Sequence, residues 1–232
     1  LHMMKQQPLF GHHSLPRLIA EKIAEQILTG ELAPGDKLVE SVFAEEYGTS
    51  RAPIREALYL LTIEGLVERI PRKGAVVKGY NEQEIYDILE IRMMLESLAV
   101  KRIAEFGLID SLFKQMEEII PQMEEAVNDP KRYAELNRTF HLAIIEMSRS
   151  EIIKSMYSRL GIPLLSLQRI SFLEEGNTRK SLEEHRVILE TLRRREFDKA
   201  LTILEKHNLS VKERVKQKVK GVNHHESLHQ PL

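Results

Sequence analysis

The sequence predicts a mainly α-helical protein built from an N-terminal winged helix-turn-helix and a C-terminal all-helical bundle of about six helices. Glycine and proline are frequent from Gly30 to Gly79 and sparse from Asn81 onward, where helical periodicity dominates. The only strand-like runs, two short ones, lie in the first part. We therefore place one domain at residues 11–78, a second at 79–220 and a frayed tail at 221–232.

In the first domain, apolar residues at helical spacing predict a helix from Leu15 to about Ile27, ended by Gly30. A short helix is expected at 41–47, and a second at 51–64 with Ser50 as its N-cap and Pro53 in its first turn. The inner face of that helix would be Ile54, Ala57, Leu58 and Leu61. Strands at 66–70 and 75–78 around the turn 71–74 complete the order of a winged helix-turn-helix.

The second domain begins at Asn81, an N-cap with the acceptor Glu84 three residues on, and its first helix should run to about Phe106. No strand is predicted in this domain. Further amphipathic segments cover residues 108–127, 131–148, 151–172, 178–194 and 197–218.

Composition excludes several classes of protein. The 232 residues hold 34 Lys and Arg against 35 Asp and Glu, a net charge of −1, so a polycationic protein is excluded and any nucleic-acid contact must be local. With no cysteine, disulfide scaffolds and cysteine-ligated metals are excluded, which suits the cytoplasm. No apolar run is long enough for a membrane span and no signal peptide is evident, so no membrane partner is expected.

Two basic clusters suggest contact with duplex DNA. Arg51 and Arg55 lie four residues apart at the start of the second helix of the pair, the part of such a helix that reaches base edges. The predicted hairpin adds Arg69, Arg72, Lys73 and Lys78. Against this, residues 11–75 carry eight basic and ten acidic side chains, and helix-turn-helix folds also bind proteins. The element order and the paired arginines together favour DNA.

Three histidines, His141, His185 and His207, lie on the apolar stripes of three different predicted helices. One such histidine is usually a hydrogen-bonded core residue, but three inward-facing imidazoles favour a shared divalent ion such as zinc or nickel. Arg92 is also on an inward stripe, where it either pairs with Glu96 or clamps a small carboxylate effector. Arg169 is a weaker effector-binding candidate because its helix phase is ambiguous.

Three stretches of the first domain closely resemble the winged helix of the GntR family. They are the segment from Leu38 to Leu58, Glu64-Gly-Leu-Val and Arg72-Lys-Gly-Ala-Val. The resemblance covers residues 14–78. It implies that operator DNA is contacted by Ser50, Arg51, Ala52, Arg55, Lys73 and Gly74.

The second half resembles the FCD ligand-binding domain of the FadR subfamily, through Asn137-x-x-Phe-His, Glu184-His-Arg-Val-Ile-Leu and His207. The resemblance implies that His141, His185 and His207 bind a metal and that Arg92 holds a carboxylate effector. Family members carry Asp where this chain has Asn137, whose neutral amide oxygen is a weaker fourth ligand.

These observations predict a DNA-binding transcriptional regulator, by default a repressor, that binds a palindromic operator as a homodimer and responds to a small organic acid at a metal site. The linker 78–81, with Gly79, is the expected mobile junction. One rival is a metal-dependent hydrolase, disfavoured because no carboxylate stands out beside the histidines, and we therefore predict no enzyme activity. The other is a ligand sensor whose winged helix binds a protein partner.

Overall fold

The computed structural model describes residues 14–226, and its N-terminal part is the predicted winged helix-turn-helix. The elements are α1 (Leu15–Leu28), β1 (Lys37–Leu38), α2 (Glu40–Glu46), α3 (Arg51–Ile63), β2 (Val67–Ile70) and β3 (Gly74–Val77). The sheet is antiparallel with strand order β1-β3-β2. Strand β1 was not predicted from the sequence; it pairs Lys37 with Val76 and Leu38 with Ala75.

Helix α3 is held by the apolar face that its sequence predicts. Ile54, Ala57, Leu58 and Leu61 are completely buried, and the helix packs against α1. Ser50 occupies the N-cap position but its side chain makes no capping hydrogen bond, contrary to our expectation. Its exposed hydroxyl is therefore not tied to the start of α3.

The second domain is all-helical within the described residues. It comprises α4 (Glu82–Phe106), α5 (Asp110–Glu125), α6 (Pro130–Met147), α7 (Glu151–Ser158), α8 (Gly161–Ser171), α9 (Asn177–Arg193) and α10 (Phe197–Glu226). Asn81 and Glu84 form the predicted capping box, each accepting a backbone N–H from the other residue at 2.9 Å.

Two helix boundaries differ from those expected. The segment predicted as one helix over 151–172 is divided before Gly161 into α7 and α8, so this part of the chain has seven helices rather than six. The predicted frayed tail begins too early because α10 continues to Glu226, while residues 227–232 lie outside the described residues, as do 11–13 of the first domain.

The helices of the second domain pack around α10 and α6. Helix α10 lies against α4, α8 and α9, and α6 packs against α4, α5 and α8. Helix α1 of the N-terminal domain packs on α8, so α8 joins the two domains. None of the described helices combines the length and apolar character that crossing a bilayer requires.

Candidate functional site

The start of α3 and the β2–β3 turn form an exposed polar surface. Ser50, Arg51, Ala52 and Arg55 are all solvent-exposed, whereas Ile54 on the opposite side of the helix is buried. On the turn, Lys73 and Gly74 are exposed beside Arg72, which adopts a φ of 66°. This surface has the accessibility and the cationic groups that contact with a DNA groove requires.

Arg55 is oriented by a carboxylate that the sequence analysis did not identify. Its Nε lies 3.2 Å and its Nη2 3.0 Å from the Glu40 carboxylate at the start of α2. The hydrogen bond with Arg55, helped by the charges of Arg69 and Arg51, lowers the pKa of Glu40 despite partial burial. One edge of the Arg55 guanidinium is thus occupied, while its side chain stays 62% exposed.

The three predicted histidines converge in the helical domain. His141 on α6, His185 on α9 and His207 on α10 are fully buried, and one ring nitrogen from each lies within 4.8 Å of the others. The Nε2 atoms of His141 and His185 are 3.2 Å apart. We call these three residues the histidine cluster.

Two imidazoles of the histidine cluster are oriented by hydrogen bonds from their outer nitrogens, and the third lies beside a carboxylate. His185 Nδ1 donates to the Ser181 carbonyl oxygen at 2.6 Å, and His207 Nδ1 donates to Glu184 Oε2 at 2.7 Å. His141 Nδ1 lies 3.1 Å from Glu96 Oε2. Donation from Nδ1 of His185 and His207 leaves their Nε2 lone pairs free, the arrangement common to metal-binding histidines.

The inner nitrogens of the histidine cluster fit a metal. The Nε2 atoms of His141 and His185 lie within hydrogen-bond distance of each other, and the buried Nε2 of His207 has no hydrogen-bond partner among the described residues. Asn137 is one turn before His141 on α6, and its buried Oδ1 is also without a described partner. The three imidazoles form a donor set suited to zinc or another first-row ion, and Asn137 is the candidate for a fourth ligand.

Burial controls the charge of the histidine cluster. It lowers the pKa of His141 despite the opposing Glu96 carboxylate. Burial and the neighbouring histidines lower the pKa of His185 well below its usual value, and burial, His141 and Arg92 do the same for His207. Neutral imidazole is the form that binds a metal.

Arg92 reaches the same region from α4. Its Nε forms the predicted ion pair with Glu96 at 2.9 Å, and both residues are buried. Glu96 also accepts hydrogen bonds from Tyr157 Oη at 3.0 Å and Asn208 Nδ2 at 2.8 Å. Burial opposes ionisation of Glu96, but Arg92 and His141 hold its pKa well below the usual range. Tyr157 also lies close to the Arg92 guanidinium, and neither buried Nη atom has a hydrogen-bond acceptor among the described residues.

Arg169 has different partners from those expected of an effector-binding residue. Its guanidinium, on α8, contacts Glu21 at 2.9 Å and Glu25 at 2.8 Å on α1, and Glu135 on α6 at 3.3 Å. Three carboxylates therefore occupy it at the contact between the domains. Its phase on α8 turns it toward α1, and this could not be fixed from the sequence.

The carboxylates beside the histidine cluster were also missed. The expectation that none lies nearby is wrong, because Glu96 and Glu184 both contact Nδ1 atoms. Both carboxylates lie at the outer edges of the rings, on the side away from the proposed metal position. There they are placed to orient the imidazoles rather than to face the open side of a bound ion. Glu184 directly precedes His185, yet it contacts His207 on the next helix. No spacing within the sequence indicates this contact.

An exposed recognition helix and wing, joined to a helical domain with a buried polar site, define a ligand-responsive DNA-binding regulator. Comparison with known proteins agrees: residues 16–77 match the gntR family of bacterial regulatory proteins and residues 87–209 match the FCD domain. The chain belongs to the GntR family, in the group whose ligand-binding part is an FCD domain.

Individual relatives are similar over most of the chain. It is 29% identical to the gluconate operon transcriptional repressor of Bacillus subtilis, covering 82% of this chain and 79% of that one. It is 26% identical to the galactonate operon transcriptional repressor of Escherichia coli, covering 77% and 86%. The solved structure of E. coli McbR/YncC matches with a TM-score of 0.63 at 22% identity, covering 92% and 99%, which shows a shared fold.

Proposed function

We propose that this regulator is a repressor that binds a palindromic operator as a homodimer and is controlled by a small organic-acid effector held at a metal site. The observation that carries the proposal is the convergence of three imidazoles in the FCD domain, two of which are oriented by hydrogen bonds. Its relatives that repress the gluconate and galactonate operons support both repression and an acidic effector.

The proposed operator contacts are Ser50, Arg51, Ala52 and Arg55 at the start of α3 and Lys73 and Gly74 in the wing. Arg51 and Arg55 lie on one face of α3, from which a guanidinium donates to two acceptors of guanine. Glu40 fixes the direction of Arg55, so this arginine enters the groove in one defined orientation. The wing would contact the backbone or the minor groove.

The proposed metal ligands are His141, His185, His207 and Asn137, and the ion is zinc or nickel. A bound divalent ion supplies an electrophilic centre with open positions for a carboxylate. The chain itself orients the rings through Ser181, Glu184 and Glu96. The buried Nη atoms of Arg92 then hold the effector carboxylate against that centre.

An apolar stripe on α4 supports the homodimer. Ile91, Met94 and Leu98 follow one another at helical spacing and are 45%, 67% and 38% exposed. Exposed apolar side chains in a row are typical of a subunit contact. Pairing two chains through α4 would present two recognition helices to two half-sites of a palindrome.

Metal analysis tests the site directly. We expect about one zinc or nickel ion per chain in protein purified without a metal-affinity column, and a much lower content in the His141→Ala variant. Thr191→Ala is the matched control on α9, because its hydroxyl donates only to Val187 and Ile188 carbonyl oxygens in the described structure. An unchanged metal content in His141→Ala would contradict the ligand set.

Operator binding tests the DNA-binding proposal and its rival. We expect binding to a promoter fragment to fall steeply with salt and to be lost in Arg51→Ala. Lys114→Ala, which removes an exposed charge on α5, should bind normally. Salt-independent binding that survives Arg51→Ala would favour a winged helix that contacts a protein partner.

A further inference from the structure

A second cation, Arg214, is half-buried beyond the histidine cluster and plays no part in the proposed metal site. It follows His207 by seven residues on α10, which is two helical turns along the same face and about 10 Å along the axis. Its Nε and Nη2 atoms are buried and have no hydrogen-bond partner among residues 14–226. Buried donors without an acceptor are costly, so this position favours a ligand with an anionic or oxygen-bearing group.

Aromatic side chains pack beside the half-buried Arg214. Its Cζ lies 5.8 Å from the centre of the Phe172 ring, which in turn packs edge-on against Tyr133 at 4.8 Å. Burial lowers the pKa of Arg214 while the nearby Glu184 raises it. Glu184, however, already accepts the hydrogen bond from His207 Nδ1.

The neighbours of Arg214 indicate what this cation binds. The charge of Arg214 acts on His207 and that of Arg92 acts on Arg214, so the two arginines lie near the same site. Glu96 already accepts hydrogen bonds from Arg92, Tyr157 and Asn208, and Glu184 from His207, and neither is a hydrogen-bond partner of the buried Nε and Nη2 atoms of Arg214. A ligand that reaches both arginines therefore meets cationic donors at each end.

We propose that the effector of this chain is a dianion with an acidic group at each end. One carboxylate meets the metal and Arg92, and the second acidic group accepts hydrogen bonds from Arg214. The inference rests on the proposed metal and effector site and adds that a simple monocarboxylate leaves Arg214 unpaired. Arg214 is thus the residue that selects the class of acid.

Matched acids test this by calorimetry on the zinc-loaded full chain. The pairs are succinate with butyrate, glutarate with valerate, and D-glucarate with D-gluconate, each differing in the second carboxylate at constant carbon number. 6-Phosphogluconate serves as a separate arm in which the second acidic group is a phosphate. We expect at least one diacid, or the phosphate, to bind about tenfold or more tightly than its monoacid partner.

Two variants distinguish the roles of the arginines. Arg214→Gln should remove the preference for the second acidic group and leave monoacid affinity unchanged, and Arg214→Lys should restore part of the preference. Arg92→Gln should weaken both members of every pair. Lys212→Gln is the matched control, because it removes a cation of α10 that pairs with Glu90.

The inference is overturned if diacids and the phosphate bind no better than their monoacid partners, or if the preference survives in Arg214→Gln. Should none of the acids bind while zinc does, the proposed organic-acid effector fails together with this inference. If monoacids bind in an Arg92-dependent way and a second acidic group adds no affinity, this inference alone is refuted and the proposed effector site stands. Thermal unfolding of Arg214→Gln and Arg214→Lys with zinc verifies that each variant is folded.

Discussion

Substituting Gly161 with alanine should loosen the contact between the two domains. Gly161 begins α8 with a φ of 46°, in the left-handed region that alanine disfavours. A Cβ built there would lie 2.6 Å from Glu64 Cδ. The Glu64 carboxylate, which accepts a hydrogen bond from the Ile162 backbone N–H at the start of α8, would therefore have to move away.

The expected loss of stability has two parts. The left-handed backbone costs alanine about 1 kcal/mol relative to glycine. Losing the hydrogen bond from Ile162 to the Glu64 carboxylate costs roughly 1.5 kcal/mol, the lower end for a charged acceptor, because Glu64 is only half-buried and regains water when it moves. We expect Gly161→Ala to reduce the free energy of unfolding by about 2–3 kcal/mol.

Urea denaturation at a fixed zinc concentration measures this loss, and Gly176→Ala separates its two parts. Gly176 has a φ of 85°, and a Cβ there meets nothing within 4 Å, so its variant carries the backbone cost alone. We expect a loss of about 1 kcal/mol for it. If Gly161→Ala is no less stable than Gly176→Ala, then Glu64 contributes nothing at the α8 terminus and the reasoning is refuted.

Three further predictions concern DNA, metal and assembly. Arg55→Ala should cost about 1–3 kcal/mol for operator over random DNA in gel-shift titrations, and an equal loss on both DNAs would mean that Arg55 contacts only phosphate. Asn137→Asp should slow metal loss to a chelator, because a carboxylate adds a negative charge to the donor set; an unchanged rate would place residue 137 outside the ligand set. Met94→Glu should shift the chain from dimer to monomer in analytical ultracentrifugation, whereas Leu173→Glu, at a similarly exposed apolar position on another surface, should not. A Met94→Glu chain that stays dimeric would place the subunit contact elsewhere.

The sequence predicted those features that depend on local periodicity. The buried face of α3 and the inward position of His141, His185 and His207 both follow from helical spacing, and the structure confirms that these side chains are buried. Spacing also placed Glu96 within reach of Arg92, four residues apart on one helix, and their ion pair is present.

Features that depend on contacts distant in sequence were missed. Strand β1 has two residues and exists only because β3 pairs with it. Glu40 meets Arg55, and Glu184 meets His207, across different helices. The break between α7 and α8 did have a signal, since Gly161 and Pro163 stand together where a new helix begins, but the apolar spacing across them favoured one continuous helix.

The linker 78–81, which we expected to be mobile, is hydrogen-bonded to Glu64, and the same residue contacts α8. Tyr80 Oη donates a hydrogen bond to the Glu64 carbonyl oxygen at the C-terminus of α3, while the Glu64 side chain caps α8. The recognition helix, the linker and α8 therefore meet at Glu64. Helix α8 also carries Gln168, whose buried amide has no described partner, and it lies against α10, the helix of His207 and Arg214. An effector that moves α8 relative to α10 would shift Glu64, and with it the end of α3, so binding at the proposed effector site would alter DNA binding through one short helix.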